Sequence, residues 1–152
     1  MAAEPDFTLY DRYGRLAAAL EVKAKRGTTS RWAAEFRRNL RDYEAFRYAP
    51  FFLIVTPDRV YLWKEAPAAA GTESSLVPPS FEIDAKPLFE PYLRGTRLKL
   101  EEISGPAFEL VVMSWLRDLI LQLPDVPLQE QLEDSGLSEA VKDGRLTYPA
   151  AA

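Results

Sequence analysis

The pattern of hydrophobic and polar positions at the start of the chain predicts a β-hairpin. Residues 5–10 and 15–25 have strand-like sequences and flank the tetrapeptide Asp-Arg-Tyr-Gly at 11–14. Asp in the first position and Gly in the fourth are typical of a type I turn, and Gly14 can adopt the positive φ that a three-residue hairpin loop requires. We therefore expect two antiparallel strands joined by a tight turn.

The register of this hairpin decides which side chains meet at its open end. If Arg12 and Arg15 close the hairpin, Asp6 lies opposite Glu21, and Lys23 shares a face with Glu21. Opposed side chains on one face are about 4.5–5.5 Å apart at Cβ. A three-residue loop would shift the register by one, and a β-bulge would be needed to restore the pair. Turn chemistry leaves both possibilities open.

A helix and two strands are predicted to follow the hairpin. Apolar residues at spacings of four, four and three predict a helix over 31–46. The continuous apolar run at 50–56 is typical of a buried strand, and a connecting helix places it parallel to the second hairpin strand. Alternation over 59–64 predicts an antiparallel neighbour. Residues 1–64 are thus predicted to form an α/β core with a mixed central sheet flanked by helices.

The second half of the chain is predicted to be mostly loop and helix. Residues 65–80 are rich in Ala, Pro and Ser and predict a loop, and residues 124–152 predict an acidic C-terminal tail. Between them, residues 81–123 predict a helical part that ends in a strongly apolar helix over 106–123. Apolar residues cover more than half of that helix, so it either packs on the core or forms a homodimer interface.

The sequence of 152 residues contains no Cys and no His. Disulfides, zinc–thiolate sites, thiol nucleophiles and imidazole bases are therefore excluded. Any catalysis must use carboxylates, Lys, Tyr, Ser or a metal ion. The start of the chain lacks the features of a signal peptide, and no stretch is apolar enough to span a membrane. We therefore expect a cytoplasmic protein without a membrane partner.

Charge is distributed unequally between the two halves of the chain. The net charge of −4 argues against nucleic acid, but residues 1–64 hold 12 basic and 8 acidic residues, whereas residues 65–152 hold 7 and 15. Such asymmetry predicts one surface that suits a polyanion. Acidic residues that only keep the domain soluble are the alternative for the second half.

Basic residues in and before the first helix are the candidates for contact with phosphates. A guanidinium beside a metal-binding hairpin would suit this role, whereas acids on the same helix predict an ordinary solvated face. The candidates are Lys25, Arg26, Arg31, Arg38 and Arg41.

The predicted pairing of Asp6 with Glu21 indicates a cation site. Two neighbouring carboxylates repel each other unless positive charge lies between them, and Mg²⁺ prefers such oxygen ligands. Glu21 also ends an apolar run, where a charged side chain needs a partner. Alternatively, Glu21 and Lys23 are ordinary polar positions on a half-exposed strand.

Pro5-Asp6 followed after fourteen residues by Glu21-Val22-Lys23 resembles the PD-(D/E)XK nuclease superfamily. The resemblance implies a restriction-endonuclease-like fold in which Asp6, Glu21 and the Val22 carbonyl bind Mg²⁺ or Mn²⁺. It also implies that Lys23 orients or activates the attacking water.

This chain departs from the family because no helix precedes the first strand. The helix over 106–123 could take that place, which would make Glu109 a candidate third acid. The alternative is a Glu at the favourable dipole end of a helix.

These observations together predict a metal-dependent nuclease, with DNA expected rather than RNA. The first alternative is a catalytically inactive nuclease-like module that binds nucleic acid or a protein. The second is a structural subunit that docks its apolar helix on a larger partner.

Overall fold

A six-stranded sheet organises the chain. The computed structural model describes residues 4–40, 46, 48–64 and 76–149. Within these ranges the strand order is β5-β4-β3-β2-β1-β6, and only β2 and β3 pair in parallel. The strands are β1 (Phe7–Tyr10), β2 (Leu16–Val22), β3 (Phe51–Val55), β4 (Arg59–Lys64), β5 (Phe81–Asp84) and β6 (Arg145–Thr147).

Helices flank this sheet, which makes the protein a mixed α/β fold. They are α1 (Ser30–Leu40), α2 (Lys86–Phe89), α3 (Gly105–Leu121), α4 (Glu130–Ser135) and α5 (Leu137–Val141). Two short 3₁₀ helices, Glu90–Leu93 and Leu100–Glu102, lie between α2 and α3. Across the described ranges, none of the helices combines the length and apolar character needed to cross a membrane.

The hairpin turn spans three residues rather than two. The N–H of Gly14 donates to the Asp11 carbonyl at 3.0 Å, and the N–H of Asp11 donates to the Arg15 carbonyl at 2.8 Å. Gly14 has a φ of 81°, which favours glycine because it has no Cβ. The conditional prediction that Arg12 and Arg15 close the hairpin is therefore wrong.

A β-bulge restores the register that brings the strand ends together. Tyr10 pairs with Leu16, whereas Leu9 pairs with Ala18, so Ala17 is the extra residue. Beyond the bulge, Phe7 lies opposite Leu20. Continuing this register by one residue places Asp6 opposite Glu21. This bulged arrangement is one of the two possibilities that the turn chemistry leaves open.

The predicted crossover between β2 and β3 is confirmed. The two strands run parallel from the pair of Ala18 with Phe51 to the pair of Val22 with Val55, and β4 pairs antiparallel with β3. The hydroxyl of Thr29 caps α1 by accepting from the Trp32 N–H at 3.1 Å. The predicted extension of α1 to residue 46 crosses 41–45, which lie outside the described residues.

Two apolar layers cover the sheet. Leu20 and Val22 of β2 face a large cluster that contains α3, whereas Ala19 faces a smaller cluster beneath α1. This alternation follows from the period of two along a strand. Because the site lies at the end of β2, elements from both layers can reach it.

Helix α3 packs on the sheet of its own chain. Its N-cap Ser104 accepts a hydrogen bond from the Ala107 N–H at 3.3 Å. The apolar side chains that had suggested a homodimer through residues 106–123 are buried in the core cluster. Packing within the chain therefore accounts for the apolar pattern and removes the reason to expect a dimer at this helix. The buried residues are Phe108, Val111, Val112, Trp115, Leu116, Leu119 and Ile120.

The second half of the chain contributes more to the sheet than predicted. Strand β5 occupies part of the predicted helical segment 81–123, and β6 pairs with β1 inside the predicted tail 124–152. Leu132, Leu137 and Val141 of this supposed tail are fully buried. Burial of these apolar residues folds the segment onto the core. The predicted loop at 65–80 is described only from residue 76 onward.

Candidate active site

Two carboxylates lie side by side at the open end of the hairpin. Asp6 immediately precedes β1, and Glu21 is the second-last residue of β2. The N–H of Val22 donates to Asp6 Oδ2 at 2.8 Å, and the N–H of Asp6 donates to Glu21 Oε1 at 3.3 Å. Each carboxylate therefore binds the backbone of the neighbouring strand, which fixes the two groups beside each other.

Lys23 lies next to this pair, as the Glu-x-Lys spacing predicts. Its Nζ is 4.0 Å from Glu21 Oε2 and 5.3 Å from the centre of the Phe36 ring in α1. The Lys23 N–H donates to the Val55 carbonyl at 2.9 Å, so the parallel ladder continues through this residue. The Lys23 side chain is 43% exposed, so its ammonium contacts both the buried acid and the solvent.

The surroundings of Glu21 disfavour its charge. The residue is only 7% exposed. Burial and, to a lesser degree, the negative charge of Asp6 raise the pKa of Glu21 to about 7, while the charge of Lys23 opposes the rise. The Lys23 ammonium therefore offsets only part of the free-energy cost of charging Glu21. A cation bound between the two carboxylates would offset the rest of that cost.

The candidate third acid, Glu109, lies near the two carboxylates. It is in the first turns of α3, and its pKa is raised by burial and by the charge of Asp6. Its own charge contributes to the raised pKa of Glu21. Within the described ranges, however, no group of three or more acidic side chains is placed to hold one metal ion. The role of Glu109 as a ligand stays a prediction.

The donor atoms at the strand ends match the chemistry of a hard divalent cation. The hydrogen bonds described above use one oxygen of each carboxylate, Asp6 Oδ2 and Glu21 Oε1. In a strand, the N–H and the C=O of one residue point to the same side. The Val22 carbonyl therefore points to the side where Asp6 accepts its N–H. Two carboxylates and a carbonyl are suitable ligands for Mg²⁺, which takes one or two carboxylates plus water.

Two predicted phosphate contacts lie on or beside the first turns of α1. Lys25 Nζ is 5.9 Å from the centre of the Trp32 ring, and exposed Arg31 forms a 3.1 Å ion pair with Glu35. Because α1 begins soon after β2 ends, both residues lie toward the carboxylate end of the sheet. Their contact with nucleic acid stays a prediction.

The other predicted contacts are placed differently. Arg26 donates to the carbonyls of Leu100 and Ile103 at 3.2 and 2.9 Å, so it joins the end of the hairpin to the approach to α3. Arg38 lies in the last turn of α1, at the opposite end from the carboxylates. Arg41 lies outside the described residues.

A cleft beside Asp6 was not predicted. It has a volume of about 500 Å³ and is lined by Phe7, Leu110, Met113 and Tyr148, among others. Leu110 and Met113 are three apart on α3, on a side that the buried core residues leave open. That spacing is a weak sequence signal, and the position of Tyr148 depends on strand β6, which the sequence analysis missed.

The fold and the site together define a mixed α/β protein with paired carboxylates and a lysine at the end of its central strands. Searches against protein-family models, curated proteins and solved structures found no match to this chain.

Proposed function

We propose that this protein is a metal-dependent nuclease with a restriction-endonuclease-like fold. It would hydrolyse phosphodiester bonds of nucleic acid, with DNA as the expected substrate. The observation that supports this proposal most strongly is the pair of Asp6 and Glu21 at the end of the hairpin, with the Lys23 ammonium 4.0 Å from Glu21. The hairpin, crossover helix and parallel strand that present these groups agree with the fold the motif implies.

Asp6, Glu21 and the Val22 carbonyl would hold Mg²⁺ or Mn²⁺. When bound, such an ion polarises a phosphoryl oxygen and lowers the pKa of its water. The hydrogen bond from the Val22 N–H to Asp6 keeps one carboxylate in a fixed orientation. The bond from the Asp6 N–H does the same for Glu21. A preorganised pair of this kind avoids reorganisation during the reaction.

Lys23 would act on the scissile phosphate. Its ammonium has three donors, is partly exposed and is held near Glu21 by the short strand segment between them. Hydrolysis adds water to phosphorus, breaks one P–O ester bond and increases negative charge on the remaining oxygens. An ammonium beside those oxygens stabilises that charge and can orient the attacking water.

A catalytically inactive binding module is the alternative function. Two observations support it. A backbone N–H already donates to one oxygen of each carboxylate. In the described residues, no third acidic side chain joins the pair to form a group that could hold a metal ion. Calorimetric titration with Mg²⁺ or Mn²⁺ separates the two proposals. Binding that Glu21→Gln abolishes supports the nuclease, whereas no heat at millimolar metal supports the inactive module.

Cleavage of plasmid and single-stranded DNA tests the proposal directly. Asp6→Asn and Glu21→Gln should each reduce the metal-dependent rate by at least about 100-fold, since they remove charged metal ligands. Glu90→Gln is the matched control, because Glu90 is exposed and pairs with Lys86, neither of which belongs to the candidate site. Equal rates in wild type, Glu21→Gln and the control would attribute the cleavage to a different site or a contaminant.

A further inference from the structure

The cleft beside Asp6 combines two carboxylates with apolar and aromatic side chains. Two carboxylates line it, Asp6 and Glu109, and Asp6 is also the residue that hydrogen-bonds to the Val22 and Glu21 side of the proposed metal site. The rest of the lining is apolar or aromatic and consists of Phe7, Pro106, Leu110, Met113, Tyr148 and Pro149. The cleft therefore adjoins the candidate active site and shares Asp6 with it.

An aromatic ring is held at the rim of the cleft. Tyr148 is 54% exposed, and its ring meets Phe7 edge to face at a centroid distance of 6.2 Å. Leu110, which α3 contributes to the lining, is 60% exposed. Strand β6 places Tyr148 here because it pairs with β1 immediately before this residue. The result is a supported ring and an open apolar wall beside the carboxylates.

We infer that this cleft binds one unpaired nucleobase next to the scissile phosphate. The inference rests on the proposed nuclease function. The two kinds of lining side chain are complementary to the two parts of a nucleotide once a cation is bound at Asp6. The planar base fits the apolar side chains beside Tyr148, and the phosphate meets the cation that Asp6 would help to hold. A volume of about 500 Å³ accommodates a single nucleotide.

The inference specifies the substrate class as single-stranded or locally unpaired nucleic acid. A base within a duplex can enter such a cleft only after it has left its stack, which requires free energy, whereas a single strand presents its bases already exposed. Stacking on an aromatic side chain tolerates any base, because every base has a π-face. We therefore expect strandedness, and not sequence, to determine binding.

Binding of a short fluorescent single strand tests the inference without turnover, with Ca²⁺ in place of Mg²⁺. Tyr148→Ala should weaken binding about tenfold, the change expected for loss of one base–ring stack, and Tyr148→Phe should retain it. Tyr13→Ala is the matched control, because Tyr13 is 71% exposed at the hairpin turn, the other end of β1. The matching duplex should bind more weakly than the single strand.

A second pair of variants examines the part of the lining that α3 contributes. Leu110→Glu places a negative charge in the cleft and should weaken binding at least as much as Tyr148→Ala. Leu121→Glu is its control, since Leu121 is 63% exposed on the same helix and does not line the cleft. Both leucines are exposed, so neither change should unfold the protein.

The outcomes separate this inference from the nuclease proposal. Equal affinity of the Tyr148→Ala and Tyr13→Ala variants for the single strand would overturn the inference, and so would the absence of binding by wild type. If wild type nevertheless cleaves DNA, the nuclease proposal is retained and only the base-binding inference is rejected. Binding that depends on Tyr148 and Leu110 without any cleavage would support the base site and refute the nuclease.

Discussion

Glu21 carries a carboxylate whose charge is disfavoured when no cation is bound. Its pKa is raised from 4.5 to about 7, with burial as the first cause and Asp6 as the second. A carboxyl group that gains proton affinity on folding stabilises the protein below pH 4.5, and this contribution is lost as the pH rises through 7. Without metal, Glu21 should therefore lower stability at pH 8 relative to pH 5.

Glu21→Gln should remove this pH-dependent loss. Glutamine can still accept the Asp6 N–H but carries no charge, so the variant should be more stable than wild type at pH 8 by up to about 3 kcal/mol. At pH 5 the difference should be much smaller. Urea unfolding in EDTA at both values measures it, with Glu35→Gln as the exposed control. Wild type as stable as Glu21→Gln at pH 8 would contradict the raised pKa.

At the residue scale, the sequence could predict local pairs but not distant ones. Asp6 and Glu21 belong to one hairpin, so strand periodicity and turn chemistry reduced their relation to two possible registers. Arg26 was predicted to contact phosphates, but it donates to carbonyls more than 70 residues away at Leu100 and Ile103. No local pattern indicates such partners, because they depend on how α3 packs.

The backbone approaches the hairpin closely at Gly144, immediately before strand β6. A Cβ at this position would lie 1.9 Å from the Tyr10 carbonyl oxygen, so no other residue fits without displacement. This glycine precedes β6, and β6 in turn precedes Tyr148. A substitution at Gly144 would therefore displace β6 from the hairpin edge and, with it, the part of the cleft that Tyr148 lines.

Gly144→Ala should destabilise the protein and disturb the cleft. The clash involves backbone atoms that cannot rotate away, so we expect a loss of about 1–3 kcal/mol, typical of overpacking. Urea unfolding measures it. Gly105→Ala is the control, since a Cβ there meets nothing within 4 Å. Equal stability of the two variants would show that β6 does not dock on β1 as described.

At the element scale, length and periodicity determined what the sequence could predict. The hairpin, α1, β3, β4 and α3 all have clear apolar patterns, and the structure contains each of them. Strands β5 and β6 have four and three residues, too few for a reliable pattern. Strand β6 forms because the edge of β1 offers unpaired backbone groups, which is a property of the assembled sheet.

At the scale of the whole molecule, positive charge near the candidate site is sparse among the residues that the structure describes. Lys23, Lys25 and Arg31 lie toward the carboxylate end of the sheet, whereas Arg26 is bound to carbonyls and Arg38 lies at the far end of α1. Exposed ion pairs such as Arg31 with Glu35 are weak and can be exchanged for a phosphate. Nucleic acid should therefore be held by few ionic contacts.

The salt dependence of single-strand binding should accordingly be shallow. Three phosphate contacts predict a slope of about −2 in a plot of log K against log salt concentration. Fluorescence anisotropy at several salt concentrations gives this slope, and Arg12→Ala at the distant hairpin turn serves as a control that should leave it unchanged. A slope steeper than about −5 would mean that a larger basic surface binds the strand.

At the molecular scale, the choice between a dimer interface and internal packing for residues 106–123 could not be made from sequence. An apolar helix surface looks the same whether a sheet of its own chain or another subunit covers it. The structure buries this surface internally. The paired carboxylates are likewise observed, whereas the cation between them is proposed.

Diffraction from crystals soaked in Mn²⁺ tests the central proposal most directly. The account predicts an anomalous difference peak within about 2–2.5 Å of a carboxylate oxygen of Asp6 and one of Glu21. The peak should be lost in Glu21→Gln crystals. Full soaking that leaves this position empty, with Glu21 still accepting the Asp6 N–H, would contradict the cation site and the nuclease built on it.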